Sequence, residues 1–174
     1  NIVHTYIGDM KVDLVAPDST AAGVVAAIAA VLVLLRLSRW HGAATHGQPI
    51  LWVLHLAYLM VAVTLAVKAA FLLGHWGWAM HWLHLQTMGA VGLMILAVMT
   101  RATLGHTGRD LVAPWPTVAG YVLVPLAALL RAFGGLVMGY QSAVALAGLA
   151  WMAAFALFLL AYAPMLLRSR PDGK

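Results

Sequence analysis

Polar residues interrupt this chain at wide intervals, and the apolar runs between them are long. They cover about 20–37, 49–73, 78–99, 116–130 and 142–167. Most approach the ~20 residues a helix needs to cross the hydrocarbon core, and the fourth is shorter. The pattern predicts an all-α, polytopic bundle of about five membrane-spanning helices over 20–167, between a segment 1–19 and a tail 168–174. Asp18-Ser-Thr after Pro17 reads as an N-cap for the first helix, and Pro49 suits the first turn of the second.

Composition agrees with this reading. Of 174 residues, 64% are hydrophobic and 9% charged, against roughly 45 to 50% apolar in soluble domains. The formal charge is +5, but the cations flank apolar runs, so they mark topology and a bilayer partner, not nucleic acid. Arg36, Arg39, Arg101, Arg109, Arg168, Arg170 and Lys174, seven of the ten cations, fall on one side. That side is expected to be cytoplasmic, with the N-terminus outside and the C-terminus inside. Lys11 and Arg131 fall on the other side with Asp9, Asp13 and Asp18. Lys68 lies within the second run, placed to snorkel outward or to meet a carboxylate. With no cysteine, disulfides, thiolate-ligated haem, iron–sulfur clusters and Cys-based metal sites are excluded. The chain opens on Asn1 without a cleavable signal pattern, which reads as a processed protein or half of a longer one.

Histidine is the candidate chemistry. An ionisable side chain is costly in a bilayer and tends to face a partner, yet this chain carries eight histidines. His55 lies in the second run; His75, His81 and His84 surround the outer entry of the third, and His106 lies beyond its inner end. His41 and His46 occupy the first inner loop, and His4 the outer segment. On an α-helix His81, His84 and Met88 share one stripe by their spacing of three and seven residues. Thioether suits copper(I) and imidazole suits copper and haem iron, so this stripe is a candidate metal site. The two histidines can share a small ion, but they cannot take opposite faces of one haem.

Depth restricts other pairings. His55 and His84 enter from opposite boundaries and are separated by roughly 15 Å or more. An outer site therefore pairs His84 with His81 or His75, and an inner site pairs His55 with His106, His46 or another chain. At the junction after the third run, Gly105 is expected to end the helix in a left-handed conformation and Gly108 to allow a second turn. That presents Arg101, His106 and Arg109 as a cap that binds an anion such as phosphate or propionate, or closes the helix structurally. Arg131 is a further candidate propionate partner. The small residues Ala21, Ala22, Gly23, Ala26, Ala27, Ala29 and Ala30, then Gly89 with Gly92 and Ala145 with Gly148, are candidate seams for close helix packing.

Three stretches carry a resemblance. They are the run His84 to Met99, continuing into Leu104-Gly-His-Thr-Gly-Arg109; Ile50-Leu-Trp-Val-Leu-His-Leu-Ala-Tyr58; and Tyr162-Ala-Pro-Met-Leu-Leu-Arg-Ser-Arg-Pro-Asp-Gly173. Together they resemble the NnrS family, and the likeness extends over most of the chain after about Leu34. The resemblance implies a bacterial inner-membrane protein that contains haem and copper and is linked to nitric oxide metabolism or nitrosative-stress defence. It carries over His55, His84 and His106 as ligands. It also implies a chain of about half the family's usual length, corresponding to the C-terminal half. The expectation is a haem- or copper-binding protein; the alternative is a non-enzymatic accessory subunit that docks on other membrane subunits, or on the other half, through its Ala-rich first helix. The sequence assigns no catalytic reaction, since no acid–base pair of the hydrolytic kind is present.

Overall fold

The computed structural model describes residues 19–169. Outside the described residues lie 1–18, with His4, Lys11 and the acidic positions, and 170–174, with Arg170 and Lys174. Every regular element among the described residues is helical. We number the spans α1 (Ser19–Ser38), α2 (Pro49–Gly74), α3 (the composite Gly77–His106), α4 (Trp115–Phe133, continued by a 3-10 turn to Leu136) and α5 (Tyr140–Leu167). All five are long and apolar enough to cross a membrane, and this is a multi-pass membrane protein. Successive spans reverse direction. Arg36, Arg39, His106, Arg109 and Arg168 therefore gather at one end, called here the arginine-rich end, and His75, His81, Arg131 and Tyr140 at the opposite end.

The bundle is centred on α3, flanked by α2 and α4; α1 packs chiefly on α2, and α5 chiefly on α4. Lipid tails are as apolar as leucine, so close packing and internal hydrogen bonds drive this association. Toward the arginine-rich end one buried layer joins Val53 and Ala57, Leu93 and Leu96, Tyr121 and Val124, and Phe158 and Tyr162. The second layer joins Met60 and Val67, Leu85 and Ala90, and Ala128 and Ala132, without a buried member from α5.

Small residues set the spacing. A Cβ on Gly23 would meet Leu73 at 2.7 Å, and Ala26 and Ala30 continue that seam, so the small residues of α1 serve packing within the chain. A Cβ on Gly89 would meet the Met60 methyl at 2.5 Å, and one on Gly92 would meet the Trp151 ring at 2.6 Å. The expected seam at Ala145 and Gly148 is absent: Ala145 is exposed, a Cβ on Gly148 meets nothing, and Ala143, Ala147 and Ala154 are buried instead. The remaining faces, such as Val25, Ile28 and Leu32 of α1 and Leu149, Met152 and Leu160 of α5, are exposed and apolar, as lipid requires.

Two spans are longer than their apolar runs. The fourth extends past 130 to Leu136, because Arg131 folds against Tyr140 and its charge complements the carbonyl end of the helix. Pro125 lies inside α4 and withholds the hydrogen bond that the Tyr121 carbonyl would otherwise receive, yet the helix continues. The third continues beyond Met99 to His106, where its polar last turns are helical although they contribute little hydropathy.

Candidate functional site

At the opposite end α3 starts irregularly. A 3-10 turn Gly77–Ala79 leads to the short α-turn Trp82–His84, and Leu85–Gly92 is a π-helix. Such wide turns are rare and recur at functional sites. Thr87 Oγ1 donates to the Leu83 carbonyl at 2.9 Å, a back-bond that competes with the regular α ladder. The histidine pair heads this segment: the His81 and His84 rings lie 5.9 Å apart, inclined by 36°. His81 also faces the Tyr140 ring at 6.3 Å. Arg131 Nη2 donates to the Tyr140 hydroxyl at 3.2 Å, with the guanidinium 5.5 Å from that ring centre. His81, Arg131 and Tyr140 line a recess of about 180 Å³.

The wide turn also redirects Met88. Each π residue advances the helix by less rotation than an α residue, and Met88 packs against the layer around Met60 and Leu85. The stripe His81–His84–Met88 assumed an unbroken α-helix; the two histidine rings are in contact, and the π-turn alters the register of Met88 relative to His81. His75 is exposed and ends α2 in the left-handed region, with φ 50°, making no ring contact with His81 or His84.

At the arginine-rich end the junction closes as a Schellman motif. The Arg109 N–H donates to the Leu104 carbonyl at 3.0 Å and the Gly108 N–H to the Gly105 carbonyl at 3.3 Å. The left-handed residue is Gly108, with φ 66°, and not Gly105, which stays helical beside open space. The helix thus ends three residues later than the glycine pattern suggests. Arg109 Nη1 donates to the carbonyls of Thr107 at 3.1 Å and Met165 at 3.5 Å, tying the junction to the last turn of α5. Its polar end therefore closes the helix structurally, while Arg101 and His106 face an open recess of about 540 Å³ walled by Leu54, Val98 and Leu111.

His55 points elsewhere. Its Nδ1–H donates to the Leu51 carbonyl at 3.1 Å, which leaves Nε2 as the lone-pair nitrogen of the neutral ring. The ring meets Trp40 edge-on at 5.7 Å, and a Cβ on Gly42 would come within 2.8 Å of it. No hydrogen bond or ring contact joins His55 to His106, so the structure does not assemble that pair. His46 is exposed and donates through Nδ1 to Ala43 at 2.9 Å.

With these two ends in place, the family follows from comparison: a family profile described as NnrS protein matches residues 6–170. The chain belongs to the NnrS family. No curated protein and no solved structure matches it significantly. In this NnrS chain, sequence reasoning missed Tyr140, whose approach to Arg131 depends on the turn through Gly134 and Gly135. It also missed a buried hydroxyl cluster. Tyr121 bonds Thr100 Oγ1 at 2.5 Å, and since Thr100 donates its own proton to Ala97 at 2.8 Å, Tyr121 is the donor. Thr117 donates to the Tyr162 hydroxyl at 3.2 Å. The only signal was tyrosine and threonine inside apolar runs. Lys68, expected to snorkel or meet a carboxylate, places its ammonium 4.7 Å from the ring centre of Trp82, at the end of the bundle toward which snorkelling would carry it.

Proposed function

We propose that this NnrS family member binds copper at its opposite end and haem at its arginine-rich end, in a bacterial cytoplasmic membrane, and acts in the response to nitric oxide. The His81–His84 pair carries this reading. With metal–nitrogen bonds of ~2 Å, as for zinc, a shared ion lies ~3 Å from each ring centre, so rings on one ion are at most ~6 Å apart. The observed 5.9 Å meets that limit at a wide angle, a geometry that two-coordinate copper(I) accepts. Among the described residues no three His, Asp or Glu converge, so a four-ligand metal does not fit this pair.

The macrocycle is assigned to the larger recess on size. The outer recess of about 180 Å³ is below the roughly 300–1,000 Å³ of sites that enclose a drug-sized ligand, whereas the arginine-rich recess of about 540 Å³ lies within it. There His106 would ligate the iron, Arg101 would pair with an acidic side group, and Leu54, Val98 and Leu111 would form the apolar wall. Arg109 positions this recess by holding the junction to α5. His55, turned to Gly42, is a ligand candidate only toward that loop. When bound, reduced copper or haem iron supplies an open coordination position for nitric oxide.

Optical spectra of the purified chain with dithionite and nitric oxide, together with copper analysis, test the assignment. His106→Ala is expected to remove the Soret band and His81→Ala with His84→Ala to remove copper. A wild-type chain with neither haem nor copper refutes it and favours the accessory-subunit reading.

A further inference from the structure

The recess at the opposite end contains a cation whose hydrogen-bonding capacity is not used. Arg131 is half-buried in its wall, and Nη1 is buried with no hydrogen-bond partner. Nη2 is engaged with the Tyr140 hydroxyl. Because that hydroxyl accepts there, its own proton remains available for donation. The buried guanidinium N–H therefore requires an acceptor, and next to it the exposed Tyr140 hydroxyl keeps a proton free to donate.

No carboxylate among the described residues supplies one. Asp110 is the sole acidic residue there, and it lies in the loop before α4, at the arginine-rich end, the whole length of α4 from Arg131. The carbonyl end of α4 offsets part of the charge without bonding Nη1. The recess is walled by Gly77, Trp78, His81, Leu136 and Tyr140. Its volume of about 180 Å³ admits an anion of a few atoms but not a macrocycle.

We propose that this recess binds a small oxyanion of the carboxylate type, held by Arg131 and the Tyr140 hydroxyl beside the His81 ring. Two oxygens on one centre match two adjacent donors, and a guanidinium forms its strongest hydrogen bonds with such an acceptor. The site goes beyond the metal reading and is separable from it, because neither donor is a metal ligand.

Trp78 lies in the wall and reports on the site. The full-length chain, purified without added metal, is titrated with sodium formate while a bulky sulfonate holds ionic strength constant, and tryptophan emission is followed. We expect a saturating change in the millimolar range that Trp78→Phe abolishes. Arg131→Gln should weaken it about tenfold or more, the size of effect expected for one lost charged hydrogen bond. Tyr140→Phe should weaken it less, and Arg131→Lys should recover part of the loss. Circular dichroism checks that each variant folds, and formate should raise the melting temperature of the wild type but not of Arg131→Gln.

A variant with Asn at Asp9, Asp13 and Asp18 distinguishes the source of the carboxylate. Saturation in the wild type assigns the recess to a free anion. Saturation only in that variant means that the chain's own acidic segment provides the same chemistry. A response that fails to saturate in both chains, or that is unchanged in Arg131→Gln, overturns the proposal.

Discussion

Thr100→Val and Tyr121→Phe remove the same hydrogen bond, yet they should not cost the same. Both hydroxyls are buried and 2.5 Å apart, Thr100 on α3 and Tyr121 on α4. Thr100 also donates to Ala97, so the chain of protons runs from Tyr121 through Thr100 to a backbone carbonyl. Thr100→Val leaves the Tyr121 hydroxyl buried without a partner, which costs about 1–3 kcal/mol. Tyr121→Phe leaves Thr100 still donating to Ala97, so only a net bond is lost, about 0.5–1.5 kcal/mol. Measured bonds between membrane helices average near 0.6 kcal/mol, which favours the lower part of both ranges. The double variant should cost no more than Thr100→Val alone, since the Tyr121 hydroxyl is then no longer stranded. Reversible unfolding in mixed micelles, over the four members of the cycle, gives these differences. Equal single losses, or a double loss equal to their sum, would refute the assigned proton direction and the coupling across α3 and α4.

Four further outcomes are expected. Arg109→Gln should lose about 1 kcal/mol and speed hydrogen exchange in the last turn of α5, with Arg109→Lys intermediate; unchanged exchange would mean that the bond to Met165 does not hold that turn. His75→Gly should raise stability by about 0.5–1 kcal/mol by relieving the left-handed backbone, net of glycine's entropy, and a fall would show that the imidazole has a partner. Gly92→Ala should cost about 1–2 kcal/mol through overpacking on the rigid Trp151 ring, whereas Gly148→Ala should be neutral or mildly stabilising, and thermal melts that rank them in reverse order would contradict the packing. The chain has no cysteine, so single cysteines at Ser38 and Gly139 report orientation with an impermeant thiol reagent: Gly139→Cys should label in intact cells and Ser38→Cys only after lysis.

The junction shows how local pattern and tertiary context divide the outcome. Leu-Gly-His-Thr-Gly-Arg announces a helix end to any reader of the chain, but two glycines compete for the left-handed position. Gly108 takes it because ending there allows Arg109 to reach Met165, a carbonyl 56 residues away in sequence. The histidine stripe divides similarly. The spacing of His81 and His84 brings their rings together in the structure, whereas the register of Met88 is set by a π-turn in which Thr87 bonds back to Leu83 and Gly89 and Gly92 fit against Met60 and Trp151.

Hydropathy alone determined the five spans, because the cost of burying unsatisfied backbone in lipid leaves a long apolar run little alternative to helix. It also determined which residues lie near which boundary, since depth follows from the rise per residue. It could not decide azimuth, the direction in which each side chain points around its helix. Whether His55 turns to Gly42 or to His106, and whether Arg131 meets Tyr140, depends on how neighbouring helices rotate to interlock small residues with large ones. That rotation is a property of the packed bundle, which is why the candidate ligands were legible in the sequence and their partners were not.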